Sequence, residues 1–420
     1  MLKTINYILW INISIILLII SIKLTIKSKF IQFRIITMIK QLLKKSNNQG
    51  ISPFSSLMIT LGGKIGVGSI SGIALAIYYG GPGTILWIII FSLIISVITY
   101  YEVYLGNIYK EKDENNIYKG GPSYYIKKGL KKHSLSIIYT ILVVICYNGC
   151  FLSIQANTIM KITNNYFNTN KIIIGLILSI TTLLIIYKGI KQISKISNIL
   201  VPIMLIIYIF LGIYILIHNI TKINKVINII IKNAFNIKTL IYSFIPMIII
   251  SLQRAIFATE SGIGTSAISG STTNCDPKKQ AYIQTLGVHI TSLVICITTA
   301  IIILTTNYQI LKIKNINGIE LVIYSFNYHF GSIGKIILYI IILLFCLSTI
   351  ITGYYNGESS IKAFKIKKVT FLKIITTIII FLGVLIESHI LWKIADILIG
   401  LMLIINIYTV YYLRNEVKEK

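Results

Sequence analysis

Acidic side chains are scarce. Twelve Asp and Glu stand against 40 Lys and Arg in 420 residues, and charged residues make up only 12% of the chain. A soluble domain carries about 25% charged residues. The length would allow about three soluble domains, but so low a charge content excludes them. Cysteine is scarce as well. Cys146, Cys150, Cys296 and Cys346 fall in apolar segments and Cys275 in a loop, without a C-x-x-C pair, which excludes a zinc site of that type and a disulfide framework. His133, His218, His289, His329 and His389 are scattered without ligand spacing, and a packing role is expected for His289. Nucleic-acid-binding, secreted disulfide-rich and disordered classes are all excluded by this composition.

Apolar residues fill the gap, at 55% of the chain, with mean hydropathy +0.82. About 20 consecutive apolar residues cross a bilayer as a helix, and runs such as Ile5–Ile22, Ile85–Val97 and Ile196–Ile217 approach or exceed that length. The chain therefore reads as an all-α polytopic membrane protein. Hydropathy and turn signals predict eleven spans, at 5–27, 53–79, 84–108, 136–160, 171–188, 196–218, 240–265, 282–305, 333–357, 368–387 and 391–413. The first is read as a retained helix, since no small-residue cleavage site follows it. An abundance of Ile, Lys, Asn and Tyr, the residues of A/T-rich codons, accounts for part of the net charge of +28. Where the charges sit is more informative. With the N-terminus outside, 27 Lys and Arg fall in inward segments and 9 in outward ones. The positive-inside rule therefore gives N-out and C-in. The connections 28–52, 109–135, 219–239 and 306–332 are too short for separate domains. Trp10, Trp87 and Trp392 lie in the first helix or near span ends, as interfacial anchors do.

Two spans depart from plain apolar helix. One reads Leu61-Gly-Gly-Lys-Ile-Gly-Val-Gly-Ser-Ile-Ser-Gly72, with five glycines in eleven residues. Each glycine disfavours a helix interior by about 0.8–1.0 kcal/mol relative to alanine, so a break is expected through Gly66–Ser69. The other reads Arg254-Ala-Ile-Phe-Ala-Thr-Glu-Ser-Gly-Ile-Gly-Thr-Ser-Ala267. Non-helical backbone at membrane depth must line a cavity or be covered by protein. These are spans two and seven, so an odd number of crossings relates them and the two five-helix blocks must be inverted. Glycine-interrupted spans at matching places in inverted halves point to a transporter's central site. Packing seams of small residues are the alternative, since Gly68 and Gly72 stand four apart. Gly62-Gly-Lys64 is no phosphate loop, because the leading glycine and the following Ser or Thr are missing.

Charges inside a membrane are functional hypotheses by default. Lys64 and Arg254 precede the two breaks and Glu260 lies within the second. They are expected to pair with Glu260 or Asp396 and so to fix the half-helices. Glu102 and Glu358, near span ends, are expected to be interfacial.

At these residues the chain resembles the alanine/glycine:cation symporters, sodium-coupled amino-acid carriers of bacteria and archaea. Ile51-Ser-Pro-Phe, the first break and Ala76-Ile-Tyr-Tyr-Gly-Gly-Pro-Gly83 are similar to that family's first core helix. Tyr101-Glu102, Tyr118-Lys-Gly-Gly-Pro-Ser-Tyr-Tyr125, Gln155-Ala-Asn-Thr158 and the stretch Arg254–Ala267 follow in order, then Gln280, Leu286-Gly287, Ser348-Thr349, Gly357-Glu358, Leu391-Trp-Lys-Ile-Ala-Asp396, Gly400-Leu-Met402 and Asn406. The resemblance runs from about Phe30 to Asn406. It implies the LeuT-type fold, a 5+5 inverted repeat with one extra N-terminal helix. On that scheme residues 1–50 hold the extra helix and a basic linker, 51–218 the first repeat, 219–413 the second, and 414–420 a cytoplasmic tail.

By the same resemblance, main-chain atoms of Gly66, Val67, Gly68 and Ser69 and of Thr259 to Gly264, including Gly262, hold the substrate, with Gln155 adding a side-chain contact. Sodium would lie between carbonyls of the first break, at Gly66, and the hydroxyls of Ser348 and Thr349. Two positions depart from the family's usual Gly-Thr-Gly-Asn, which here is Gly66-Val67-Gly68-Ser69, and Thr291 stands where an Asp is common. The expectation is sodium-coupled import of a small neutral amino acid, alanine or glycine, across the bacterial cell membrane. No catalytic residue and no cofactor beyond the coupling ion Na+ is expected, and no nucleic-acid partner. A same-fold transporter of another small amino acid, or one coupled to protons, is the alternative. A membrane-embedded enzyme is more remote, since it needs clustered His, Asp or Ser at one depth.

Overall fold

The computed structural model describes residues 2–44, 50–114, 116–167, 169–235, 244–307, 309, 315–366, 369–386 and 388–418. Helices α1 (Leu2–Lys27) and α2 (Ile35–Leu43) precede the first interrupted span, which comprises α3 (Pro53–Lys64) and α4 (Val67–Gly80). Next come α5 (Thr84–Ile108), a two-stranded hairpin of β1 (Glu111–Lys112) and β2 (Tyr118–Lys119), and α6 (Pro122–Lys128). Helix α7 (His133–Phe167) contains a π-helical stretch, Val144–Phe151. It is followed by α8 (Lys171–Tyr187), α9 (Ile190–His218) and α10 (Ile220–Ala234). The second interrupted span is α11 (Ile245–Thr259) and α12 (Thr265–Gly270). The chain ends in α13 (Pro277–Leu304), α14 (Ile319–Lys362), α15 (Thr370–Gly383) and α16 (Ser388–Tyr412). Among the described residues eight spans are long and apolar enough to cross a membrane, and α8, α11 and α15 are shorter apolar helices.

Local chemistry starts and stops these helices. Ser52 caps α3 by accepting the Ser55 amide at 3.0 Å, with Pro53 in the first turn, where the missing N–H is not needed. Asp276 caps α13 in the same way, accepting from the Lys279 amide at 2.9 Å with Pro277 behind it. Two connections are more structured than their sequence suggests. The stretch 219–239 contains the amphipathic α10, whose Asn233 Oδ1 accepts from the Gly83 amide at 2.8 Å and whose Ala234 carbonyl accepts from Trp87 Nε1. Helix α14 begins at Ile319, well before the expected start at 333, and bends at Gly331, whose φ is +58°.

Helices at matching places in the two halves pack on each other: α4 on α11, α5 on α13, α7 on α14 and α8 on α15. The extra helix α1 lies against α16, α5 and α11. Along Pro53–Gly80 the apolar window is entirely enclosed, whereas along α9 only 33% of it is buried. Aliphatic and aromatic side chains such as Ile177, Leu184, Ile206, Phe210, Phe371 and Ile378 face outward, as lipid-facing side chains must. The interrupted spans therefore form the centre and the helices around them the wall.

The breaks are short. In the first, only Ile65 and Gly66 leave helical geometry, and α4 resumes at Val67 rather than beyond Ser69. Gly68 and Gly72 sit inside α4, where a Cβ at Gly68 would strike the Phe257 ring and one at Gly72 would touch Arg254 and Trp392 at 3.8 Å. The packing reading thus holds for Gly68, and the break reading for Gly66. The second break runs from Glu260 to Gly264 as expected, with left-handed backbone at Glu260, Gly262 and Gly264. The first residues of the expected span 240–265 lie outside the described residues. Gly264 has φ +102°, and a Cβ there would overlap Pro122 Cγ and lie 2.7 Å from Tyr139 Oη. Gly264→Ala is expected to lose about 1–3 kcal/mol of stability, read as a lower thermal midpoint in detergent. A midpoint equal to that of the unaltered protein contradicts this account of the second break.

Candidate substrate and cation site

Helix α4 serves as a ruler through the centre. At its start the Thr349 hydroxyl of α14 abuts Gly66, where a Cβ would collide with it. Ser348 Oγ and Thr349 Oγ1 both donate to the Gly62 carbonyl, at 3.1 and 3.0 Å, and Thr352 Oγ1 donates to the Ile59 carbonyl at 3.1 Å. Three hydroxyls of α14 thus meet carbonyls of α3 just before it ends. At the break itself the Val67 amide donates to Gln155 Oε1 of α7 at 3.3 Å. Ser69 Oγ turns back onto the carbonyls of Lys64 and Gly66, both at 3.2 Å. The structure therefore brings together Gly66, Val67, Ser69, Gln155, Ser348 and Thr349.

At the second residue of α4, Phe257 of α11 lies over Gly68, stacked between Phe151 and Trp392 at centroid separations of 4.7 and 4.6 Å. Tyr147 extends the column, stacked on Phe151 at 4.6 Å. The column runs from Glu260, whose Oε1 accepts from the Tyr147 hydroxyl at 3.0 Å, to Arg254, which sits 5.1 Å from the Trp392 ring centroid. Arg254 Nη2 donates to both carboxylate oxygens of Asp396, at 2.8 and 2.6 Å, in a buried ion pair between α11 and α16. Beyond this pair opens a cavity of about 420 Å³ whose wall includes Ser71, Leu75, Tyr79, Arg254, Trp392 and Asp396. Arg254 and Trp392 therefore stand between the cavity and the first break.

In the second break, Glu260 Oε2 accepts from Thr265 Oγ1 at 2.7 Å, and the Ile263 carbonyl accepts from Tyr139 Oη. The Gly262 carbonyl accepts from Asn406 Nδ2 at 2.8 Å, and the same amide nitrogen donates to Glu102 Oε2 at 2.9 Å. Thr259 donates its hydroxyl back to the Ala255 carbonyl at 2.7 Å, and the same oxygen accepts from the Ser261 amide at 3.5 Å.

Four sequence expectations need correction. Glu102 is fully buried rather than interfacial, because α5 continues past it to Ile108 and α16 supplies Asn406. Glu358 is buried too, since β2 and α14 bring Lys119 and Lys362 to it at 3.5 and 3.1 Å. Lys64 is buried, and its Nζ makes no hydrogen bond to Glu260. Trp10 and Trp392 are not interfacial anchors, because Trp10 is buried with Nε1 donating to the Asp396 carbonyl and Trp392 completes the aromatic column. His289 packs as expected, with Nε2 2.7 Å from the Gln32 carbonyl oxygen. Phe257, Phe151 and Tyr147 carried no signal in the sequence beyond being aromatic.

The profile of the sodium:alanine symporter family matches residues 1–420. The chain belongs to the sodium:alanine symporter family. A protein of Bacillus subtilis (strain 168) named a probable sodium/glutamine symporter, GlnT, is 34% identical over 98% of this chain and 87% of its own length. The sodium/alanine symporter AgcS of Methanococcus maripaludis is 29% identical over 87% of this chain and 83% of its own. Among solved structures, MhsT in complex with L-phenylalanine superposes with a TM-score of 0.65 at 15% identity, over 87% of this chain and 89% of that one, and shares the fold. Like the rest of the sodium:alanine symporter family, this is a multi-pass membrane transporter and not an enzyme. It couples amino-acid movement to sodium.

Removing one partner of a buried ion pair typically costs about 3–5 kcal/mol, whereas replacing both with apolar groups can be nearly neutral. Arg254→Met and Asp396→Leu are each expected to lower the thermal midpoint in detergent, and the double variant to lower it less than either. A double variant less stable than both singles would remove the pair from its proposed place as the tie between α11 and α16.

Proposed function

We propose that the protein imports a small neutral amino acid, alanine or glycine, together with sodium, by alternating access around the two breaks. The distribution of Lys and Arg supports an N-terminus outside and a C-terminus inside, an orientation in which the 420 Å³ cavity, lined by Tyr7 near the N-terminus, would open to the outer face. The observation that carries the reading is the meeting of α14 with the end of α3. There two hydroxyls each lie within 3.1 Å of the Gly62 carbonyl, and that of Thr349 abuts Gly66. Unwound carbonyls and half-helix C-termini are what coordinate an alkali ion in transporters of this kind. Gly62 and Gly66 with Ser348 and Thr349 would hold it. Amides at the start of α4, at Val67, Gly68 and Ser69, would take the substrate carboxylate, with Gln155 beside them. Carbonyls of the second break, between Thr259 and Gly264, would take its amino group.

The size of the substrate follows from Phe257, which lies directly over Gly68 with Phe151 and Trp392 on its two faces. Little volume is left beside the break, which favours alanine or glycine over a larger side chain. A second reading, glutamine, is favoured by the name of the 34% identical Bacillus subtilis relative. Val67 and Ser69 bear on the choice, because Val67 offers no hydroxyl and the Ser69 hydroxyl is turned onto the backbone.

Proteoliposomes given labelled alanine, glycine or glutamine, with an inward sodium gradient or with potassium in its place, test this directly. Sodium-dependent accumulation of alanine or glycine is expected, with glutamine a weak competitor. Accumulation of glutamine alone, or uptake indifferent to sodium, would overturn the reading. Thr349→Ala is expected to raise the sodium concentration for half-maximal uptake at least about tenfold, the effect of losing one charge-assisted contact of 1.4 kcal/mol or more.

A further inference from the structure

Buried polar groups are nearly always hydrogen-bonded, and one that is not calls for an ordered water or an ion. Among the described residues, Asn356 of α14 is the only buried side-chain amide unmatched at both ends. Neither Oδ1 nor Nδ2 has a partner, although the residue is fully enclosed. The Ser359 hydroxyl, about one turn on and equally buried, also lacks a partner within hydrogen-bonding geometry.

Their place along α14 gives these groups a direction. From Gly331 to Lys362 the helix is uninterrupted. A step of seven residues is about 20° short of two full turns, and such steps carry Thr349 to Asn356 and Thr352 to Ser359. Thr349 and Thr352 turn toward α3, onto the carbonyls of Gly62 and Ile59. Asn356 and Ser359 therefore continue the face that begins at the proposed sodium position. At 1.5 Å per residue, Asn356 lies roughly 10 Å beyond Thr349.

That face leads to a second cavity. The 420 Å³ cavity borders the N-terminal end of α14, with Gly318 and Ile319 in its wall. Another, of about 290 Å³, borders the opposite end, and its wall includes Lys119, Tyr124 and Lys362. Tyr124 Oη donates to the Ser359 carbonyl at 3.4 Å, so this cavity reaches the end of the polar face. The carboxylates of Glu111, Asp113 and Glu114 share the wall with four lysines. Lys362 meets Glu358 at 3.1 Å and Asp113 at 3.3 Å, which ties the hairpin to the end of α14.

We propose that Asn356 and Ser359 form a transit site for sodium between the first break and this second cavity. Amide and hydroxyl oxygens are ligands of the hard kind that such a cation takes. Asn356 Oδ1 and Ser359 Oγ receive the ion after it leaves the Gly62 carbonyl and the hydroxyls of Ser348 and Thr349, and Nδ2 holds water that travels with it. The inference rests on the sodium site proposed above and adds the way out of it.

Asn356→Leu tests the site, because a group with no partner is removed without loss of a hydrogen bond. The thermal midpoint in detergent is expected to be unchanged or higher, and the sodium concentration giving half of the sodium-induced rise in midpoint to stay within about twofold. In proteoliposomes supplied with alanine, glycine and glutamine together, the maximal rate of 22Na uptake is expected to fall about tenfold, the effect of losing one contact to a charged group. Half-maximal sodium is not expected to rise, in contrast to Thr349→Ala. Asn356→Ser, which keeps an oxygen, is expected to recover most of the rate. Where Asn356→Leu does not fold, Ser359→Ala decides, with a loss of at least about threefold expected. A maximal rate equal to that of the unaltered protein would overturn the transit site and leave sodium coupling in place. A lowered midpoint with an unchanged rate would overturn it too, by showing that the amide serves structure through bound water. Absence of 22Na uptake by the unaltered protein would overturn both.

Discussion

Backbone amides and carbonyls released from a helix inside a bilayer have no water to bind, so protein or cargo must satisfy them. The rest of this structure is arranged around that constraint at two places. Ile65 and Gly66 open the first span and Glu260 to Gly264 the second. Each break is enclosed by the partners that answer it. Hydroxyls of α14 and the side-chain oxygen of Gln155 serve the first; Tyr139, Asn406 and Thr265 serve the second. The partners come from helices of both halves, so the breaks tie the two repeats together where each is least able to stand alone.

Those ties differ in kind, and the difference matters for a carrier that must rearrange. Ser348 and Thr349 close onto Gly62 through neutral hydroxyl–carbonyl bonds of 3.0–3.1 Å, each worth about 1 kcal/mol net and so readily exchanged for an ion. Arg254 and Asp396 form a buried ionic contact of 2.6 Å, which is costly to separate. Phe257, pressed on Gly68 and stacked on both sides, links the two along α4. Cargo arriving at the weak contact thus acts on backbone that is mechanically continuous with the strong one.

Much of this was legible in the sequence. Glycine density located both breaks, and the resemblance to the symporter family pointed to Ser348 and Thr349 as the hydroxyls beside the first. Arg254 and Asp396 stood out as charges at membrane depth. The length of the first break was not legible, because glycine at 68 and 72 weakens a helix by propensity, yet both sit inside α4, and at 68 glycine is required for the close approach of Phe257. Helix α10 and the early start of α14 were hidden because hydropathy reports membrane crossing, not helicity, and neither segment is uniformly apolar. Burial of Glu102 depends on Asn406, some three hundred residues away, and that of Glu358 on a lysine in a short hairpin. Neither partner is fixed by local pattern.

Hydrogen–deuterium exchange at the two breaks, compared in sodium plus amino acid and in potassium, tests the central claim most directly. Ordering of the breaks by cargo predicts slower exchange at the amides of Gly66 to Ser69 and Glu260 to Gly264 in sodium plus amino acid, with the wall helices α8 and α15 unchanged. Equal exchange in the two conditions, or protection confined to the wall helices, would contradict it.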